Sequence, residues 1–124
     1  VFALVVAGLV AEHVADLPAL LKEAVRVLCP GGRLVLSALH PDRTAAGQRA
    51  RFIDPQTGVR RPITTYHRSV ADYLGAATGA GLALVSEQTL VGTAAVAAVL
   101  PRASRYVGLP LGWVAGWDKP SAFR

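Results

Sequence analysis

The sequence predicts an α/β fold built on a largely parallel sheet, and three stretches predict it. Val1–Ala7 is a short, nearly continuous apolar run rich in β-branched residues. Leu17, Leu20, Leu21, Ala24, Val25 and Leu28 then recur at the spacing of one helical face. Leu34–Leu39 is a second apolar run, without polar alternation. Strand, helix, strand is a βαβ unit, and its crossover is almost always right-handed. Strands that read apolar throughout belong in parallel sheets, so helices are expected on both faces.

Each element has its own punctuation. Gly8 follows the first strand, at the carboxyl end where open α/β sheets bind ligands. It reads either as a close approach for a ligand or as no more than the exit from the strand. Asp16 is placed to cap the helix, because its carboxylate can accept from the free amides of the first turn, and Pro18 sits where a missing N–H costs little. Cys29-Pro30-Gly31-Gly32 reads as a helix stop and tight reversal before Leu34. His40-Pro41 closes the second strand on the ligand-facing edge. His40 reads either as a base or substrate-orienting group, or as a hydrogen-bond partner for the loop.

Residues 42–65 show no clean period and carry turn signals at Asp54-Pro55-Gln56-Thr57-Gly58. A loop of this length in a compact domain is usually functional or disordered. Ser69-Val70-Ala71-Asp72 has the form of a capping box, with Val70, Tyr73, Leu74 and Ala77 as the buried face of the next helix and Gly79-Ala80-Gly81 as its end. Leu82–Gly92 reads as a strand, Ala94–Leu100 as a short helix stopped by Pro101, and Gly108–Trp117 as a last strand before a polar tail, Asp118–Arg124.

Leu9-Val10-Ala11-Glu12-His13, Arg26-Val27-Leu28-Cys29-Pro30-Gly31-Gly32-Arg33-Leu34 and Ser37-Ala38-Leu39-His40-Pro41 together resemble the second half of a class I S-adenosylmethionine-dependent methyltransferase of the type 11/25 kind. The Arg-Val-Leu-x-Pro-Gly-Gly element is the most specific part. In that family it joins the helix after the fourth strand to the fifth strand, and Cys29 stands where lysine is usual. Ala50–Pro55, Tyr66–Tyr73 and Pro101–Ala103 are similar to a subset of these enzymes, so the resemblance runs along all 124 residues.

The resemblance implies a partial Rossmann-like methyltransferase sheet in the family's strand order 4-5-7-6, with the last strand antiparallel. Residues 1–124 would form the C-terminal half of one methyltransferase domain, with an acceptor-side excursion inserted at about 42–68. The implied cofactor is S-adenosylmethionine, held in part by Ala7, Gly8, Leu9 and His13. The implied substrate-binding residues are His40, Tyr66 and His67. No catalytic residue is implied. The family's glycine-rich turn and ribose-binding acid are not in this sequence, so cofactor binding by this stretch alone is expected to be weak. The implied partners are a small-molecule acceptor and the N-terminal half of the domain, in cis or as a complementing chain. The alternative is a truncated, non-catalytic chain that acts only through pairing of its open sheet edge.

Composition narrows the classes. The chain has no Met and begins inside an apolar strand, read here as a missing N-terminus. An uncovered first strand of this kind is expected to drive oligomerisation or aggregation. The longest apolar runs fall short of the ~20 residues that span a bilayer, and no signal-peptide pattern is present, which favours a cytoplasmic protein without membrane contact. One Cys excludes an internal disulfide, and His13, His40 and His67 are too far apart in sequence for metal-ligand spacing. No serine sits between nucleophile-elbow glycines.

The net charge of +5 is concentrated: Arg43, Arg49, Arg51, Arg60, Arg61 and Arg68 face a single acid, Asp54, in the segment 43–68. That segment can attract an anionic substrate or nucleic acid, or be a solvated arginine-rich excursion. Only Phe52 and Tyr66 could stack on bases there, which disfavours nucleic acid.

Overall fold

The computed structural model describes residues 1–121; residues 122–124, part of the expected polar tail, lie outside the described residues. Four strands form one mixed sheet in the order β1-β2-β6-β5: β1 (Phe2–Gly8), β2 (Leu28–Leu39), β5 (Ala83–Val91) and β6 (Pro110–Asp118). β1 and β2 are parallel, and β6 runs antiparallel to both β2 and β5. The expected strand order and antiparallel last strand are both present.

Helix α1 (Leu17–Val27) makes the crossover between β1 and β2. Asp16 caps it by accepting from the Ala19 amide at 3.0 Å. At its other end the Lys119 ammonium donates to Val25 O and Leu28 O, both at 2.7 Å, satisfying carbonyls the helix leaves free. Helix α3 (Val70–Gly79) starts from the expected capping box: Ser69 Oγ accepts from Asp72 N at 3.0 Å, and Asp72 Oδ2 accepts from Ser69 N at 2.8 Å.

The core lies between these two helices and one face of the sheet. Leu34, Leu36 and Ala38 of β2 alternate with Trp113, Ala115 and Trp117 of β6, and against them pack Leu17, Leu21, Ala24, Tyr73 and Ala77. Tyr73 stacks on Trp113 with ring centroids 5.4 Å apart, and Trp113 meets Trp117 edge-on at 6.1 Å. The Trp113 indole N–H donates to Glu87 Oε2 at 3.0 Å, so the buried ring keeps its polar group paired.

Three expectations are corrected. The Pro-Gly-Gly stretch is not a stop between helix and strand. β2 already begins at Leu28, and the ladder jumps from Phe2↔Leu28 to Leu4↔Arg33. The glycines form an irregularity inside the strand, tied to the end of the neighbouring β6 by Gly31 N donating to Lys119 O and Lys119 N to Gly32 O. Gly32 is required there, since a Cβ would lie 2.8 Å from Cys29 O.

The sheet is not covered on both faces among the described residues. Val5 and Ala7 pack on the core, while Phe2, Leu4 and Val6 on the opposite face are each more than half exposed (60%, 55% and 64%). The segment 42–65 is not structureless either. It holds helix α2 (Pro41–Ala45) and the two-stranded hairpin β3 (Arg51–Ile53) and β4 (Arg60–Pro62), closed by the expected turn. Helix α4 (Ala94–Val99) and a 3-10 segment over Pro101–Tyr106 then lead into β6, which starts at Pro110 rather than Gly108.

Candidate functional site

Parallel pairing brings the carboxyl ends of β1 and β2 to one edge, where Gly8 lies opposite Ser37. Beyond that edge is a cavity of about 610 Å³. Its lining comes from four places: Leu9, Glu12 and His13 after β1; Leu39 at the end of β2; residues 46–51 with Arg60 from the excursion; and Arg105 and Tyr106 from the segment before β6. The size is that of a small-molecule site.

The turn after β1 is backbone under strain. Leu9 has φ +54°, in the left-handed region that a branched residue seldom occupies, and its amide is held by Ser37 O at 2.9 Å. A 3-10 turn over Ala11–His13 follows and buries Glu12 to 2% exposure. Glu12 Oε2 accepts from Leu39 N at 2.9 Å, linking the ends of the two strands. Its Oε1 is buried without a hydrogen-bond partner among the described residues. Burial pushes the nearby Tyr73 phenol above its ordinary pKa, and the Glu12 charge adds to the rise.

His13 Nδ1 is 2.8 Å from Thr64 O. A carbonyl can only accept, so Nδ1 carries the proton in that contact, and in the neutral ring Nε2 is left with its lone pair. The 3-10 turn is clamped from behind by Arg68, whose guanidinium donates to Ala11 O (2.8 Å), Val14 O (2.5 Å) and Ala15 O (3.1 Å).

Of the residues singled out from sequence, Leu9 and His13 line the cavity, while Ala7, Gly8, His40, Tyr66 and His67 do not. Ala7 and Gly8 remain in the strand end beneath it. His40 caps α2: its Nδ1 accepts from Asp42 N at 3.1 Å. His67 Nδ1 lies 2.7 Å from Thr44 Oγ1, which itself donates to Pro41 O, so the imidazole donates and ties the excursion to α2. Tyr66 donates its amide to Glu12 O at 2.7 Å, and the Arg68 guanidinium lies 5.7 Å from its ring centroid.

The sequence singles out neither Glu12, which it offers only beside His13 in the Leu9–His13 stretch, nor Gln48, Arg105 and Tyr106. Gln48 Nε2 donates to Tyr106 Oη at 3.2 Å, joining the excursion to the far wall of the cavity. That wall rests on Gly92, where a Cβ would fall 2.1 Å from Tyr106 O. A glutamate inside an apolar run was the available signal for the first; nothing in the spacing announced the others.

Residues 1–36 match the sequence family described as "Methyltransferase domain". Most of the chain superposes on solved S-adenosylmethionine-dependent methyltransferases. One from Mesorhizobium loti is 24% identical, with a TM-score of 0.73 over 94% of this chain and 62% of that one. The fold is the class I methyltransferase fold. A second neighbour, a putative methyltransferase of the same cofactor class from Listeria monocytogenes, has a TM-score of 0.76 at 18% identity, covering 97% of this chain and 62% of its own. The N-methyltransferase NodS from Bradyrhizobium japonicum WM9, solved in complex with S-adenosyl-l-homocysteine, has a TM-score of 0.58 at 15% identity over 97% of this chain and 47% of its own. This chain therefore spans about three-fifths of the length of the first two structures, a partial version of the fold. No curated protein matches it. No helix among the described residues is long and apolar enough to cross a membrane.

Proposed function

We propose that this chain takes part in S-adenosylmethionine-dependent methyl transfer to a small-molecule acceptor, supplying the acceptor side and part of the cofactor site. The observation that carries the reading is the coincidence of the methyltransferase fold with a cavity at the carboxyl ends of β1 and β2. The residues lining the cavity and those at the strand end beneath it suit the cofactor. Gly8 has only Ser37 Oγ, at 3.8 Å, near the position of a Cβ, so its backbone is open to a ligand. Glu12 adds a buried carboxylate oxygen with no partner among the described residues, fit to receive a cationic or hydroxyl group. Ala7, Gly8, Leu9 and His13 are the residues that would hold it.

S-adenosylmethionine would supply a methyl group already bonded to a good leaving group, its sulfonium sulfur. The protein's part is position, because the leaving group is already activated. His13, held through Nδ1 by the Thr64 carbonyl at 2.8 Å, lines the cavity among the residues that would hold the cofactor. The excursion 42–68, with His40, Tyr66 and His67 bracing α2 and the turn after β1, is the acceptor-side wall.

Calorimetric titration of the whole protein with S-adenosylhomocysteine tests the reading. The expected result is saturable binding that Gly8→Val weakens by about tenfold or more. Absence of binding by the whole protein would overturn it and favour the second reading, for which the exposed Phe2, Leu4 and Val6 speak: a non-catalytic chain acting through association at β1.

A further inference from the structure

We infer that the cavity takes an anionic acceptor: a small molecule bearing a carboxylate or phosphate on an apolar body, gripped by Arg49, Arg51, Arg60 and Arg105. The word acceptor rests on the methyl-transfer reading above; the anion site stands on the geometry alone.

The excursion's arginines divide by what they touch. Arg61 pairs with Asp54 at 2.9 Å, and Arg68 is consumed by the carbonyls of the 3-10 turn. Arg49, Arg51 and Arg60 line the cavity, and Arg105 joins them from a segment more than forty residues further along. Among the described residues none of these four has an ion-pair partner; the Arg–carboxylate pairs are Arg26–Glu23, Arg33–Asp118 and Arg61–Asp54.

The hairpin register explains the division. Phe52 lies opposite Arg61, whereas Arg51 lies opposite Pro62 and Ile53 opposite Arg60. Side chains alternate faces along a strand, so Arg51 and Arg60 share the face that Phe52 and Arg61 do not. Two like charges set diagonally on one face repel unless an anion lies between them.

One carboxylate, Glu12, sits in the cavity, and one of its oxygens is already occupied by the Leu39 amide. Four guanidiniums against that single acid leave the cavity strongly positive. A guanidinium fork matches the paired oxygens of a carboxylate or phosphate, and this geometry is what arginine offers over lysine. Leu9, Leu39, Ala46, Ala50 and the Tyr106 ring supply the apolar part of the lining, suited to the body of such a molecule. A nucleic acid would need a basic track with stacking aromatics. Here the cations converge on a pocket of small-molecule size, Phe52 is on the other hairpin face, and Tyr66 is outside the lining.

The test is calorimetric titration of the whole protein, without cofactor, with benzoate, phenyl phosphate and the neutral benzamide. Benzoate or phenyl phosphate is expected to bind about tenfold or more tightly than benzamide, with a margin that shrinks as salt is raised. Whichever of the two binds better identifies the anion. The double variant Arg51→Gln, Arg60→Gln should remove about tenfold of that affinity, while Arg26→Gln, the loss of one positive charge on the outer side of α1, should leave it unchanged. Near-ultraviolet dichroism of Trp113 and Trp117 reports whether the core is intact. Arg105→Gln, on a separate segment, must repeat the loss and stands in if the hairpin variant does not fold.

Equal binding of benzoate and benzamide, or an unaltered affinity in the arginine variants, would overturn the proposal. So would a short single-stranded oligonucleotide that binds more tightly than either anion and competes with it. Because no turnover or cofactor is involved, failure here leaves the S-adenosylhomocysteine titration untouched, and the reverse also holds.

Discussion

Glu12 joins two strand ends with one carboxylate oxygen while the other is buried and unpaired among the described residues. Removing the side chain and removing only its charge should therefore differ. Glu12→Ala leaves the Leu39 amide without its acceptor and is expected to lower stability by about 1–3 kcal/mol. Glu12→Gln keeps an oxygen on that amide and should cost less than about 1 kcal/mol. Urea midpoints of the two variants check this, and equal losses would mean that the Leu39 contact contributes nothing. At this scale Leu9 and His13, which follow a recognisable strand end, are the residues named from sequence that line the cavity. Glu12's role was not legible, because burial depends on Tyr66 and Arg68 closing over the 3-10 turn from more than fifty residues away.

Helix α3 shows how an element's ends respond to pH. The Ser69 amide, then the Ser69 hydroxyl, hold the Asp72 carboxyl below its ordinary pKa. A carboxyl with a depressed folded pKa contributes stability that is fully present above the unfolded value, near 3.9, and is lost as pH falls through the folded value. Wild-type protein should lose this contribution as pH falls below about 4, whereas Asp72→Asn lacks that part of the acid dependence. Ser69→Ala should lower stability by about 1 kcal/mol at neutral pH. Urea melts at pH 7 and pH 3 measure both, and an unchanged acid dependence in Asp72→Asn would refute the assignment. The capped helices were legible because caps act over three residues. The hairpin at 51–62 was not: its strands are three residues each and exposed, too short to show alternation.

For the whole molecule, the open sheet face has the clearest consequence. Phe2, Leu4 and Val6 project from an edge strand with nothing over them among the described residues. A chain of these 124 residues should self-associate with rising concentration, and the paired changes Leu4→Lys and Val6→Lys should reverse it. Sedimentation velocity across a concentration series decides; a monodisperse monomer stable to mild heating would refute it. Sequence reading expected helices on both faces because β2 is apolar throughout. Apolarity shows what a face needs, and it does not show whether another segment of the same chain supplies it.

The sequence by itself determined the βαβ unit and the caps of α1 and α3, which arise from periodicity and from residues acting within a turn of one another. The strand order and the antiparallel last strand followed only from its resemblance to methyltransferases. Only the tertiary structure decided that Pro-Gly-Gly lies within a strand, that one face of the sheet is uncovered among the described residues, and that four arginines from two distant segments converge on one cavity with Glu12. Convergence of that kind depends on how the excursion and the segment before β6 pack around Gly92 and Tyr106, and contacts so far apart along the chain leave no period in it.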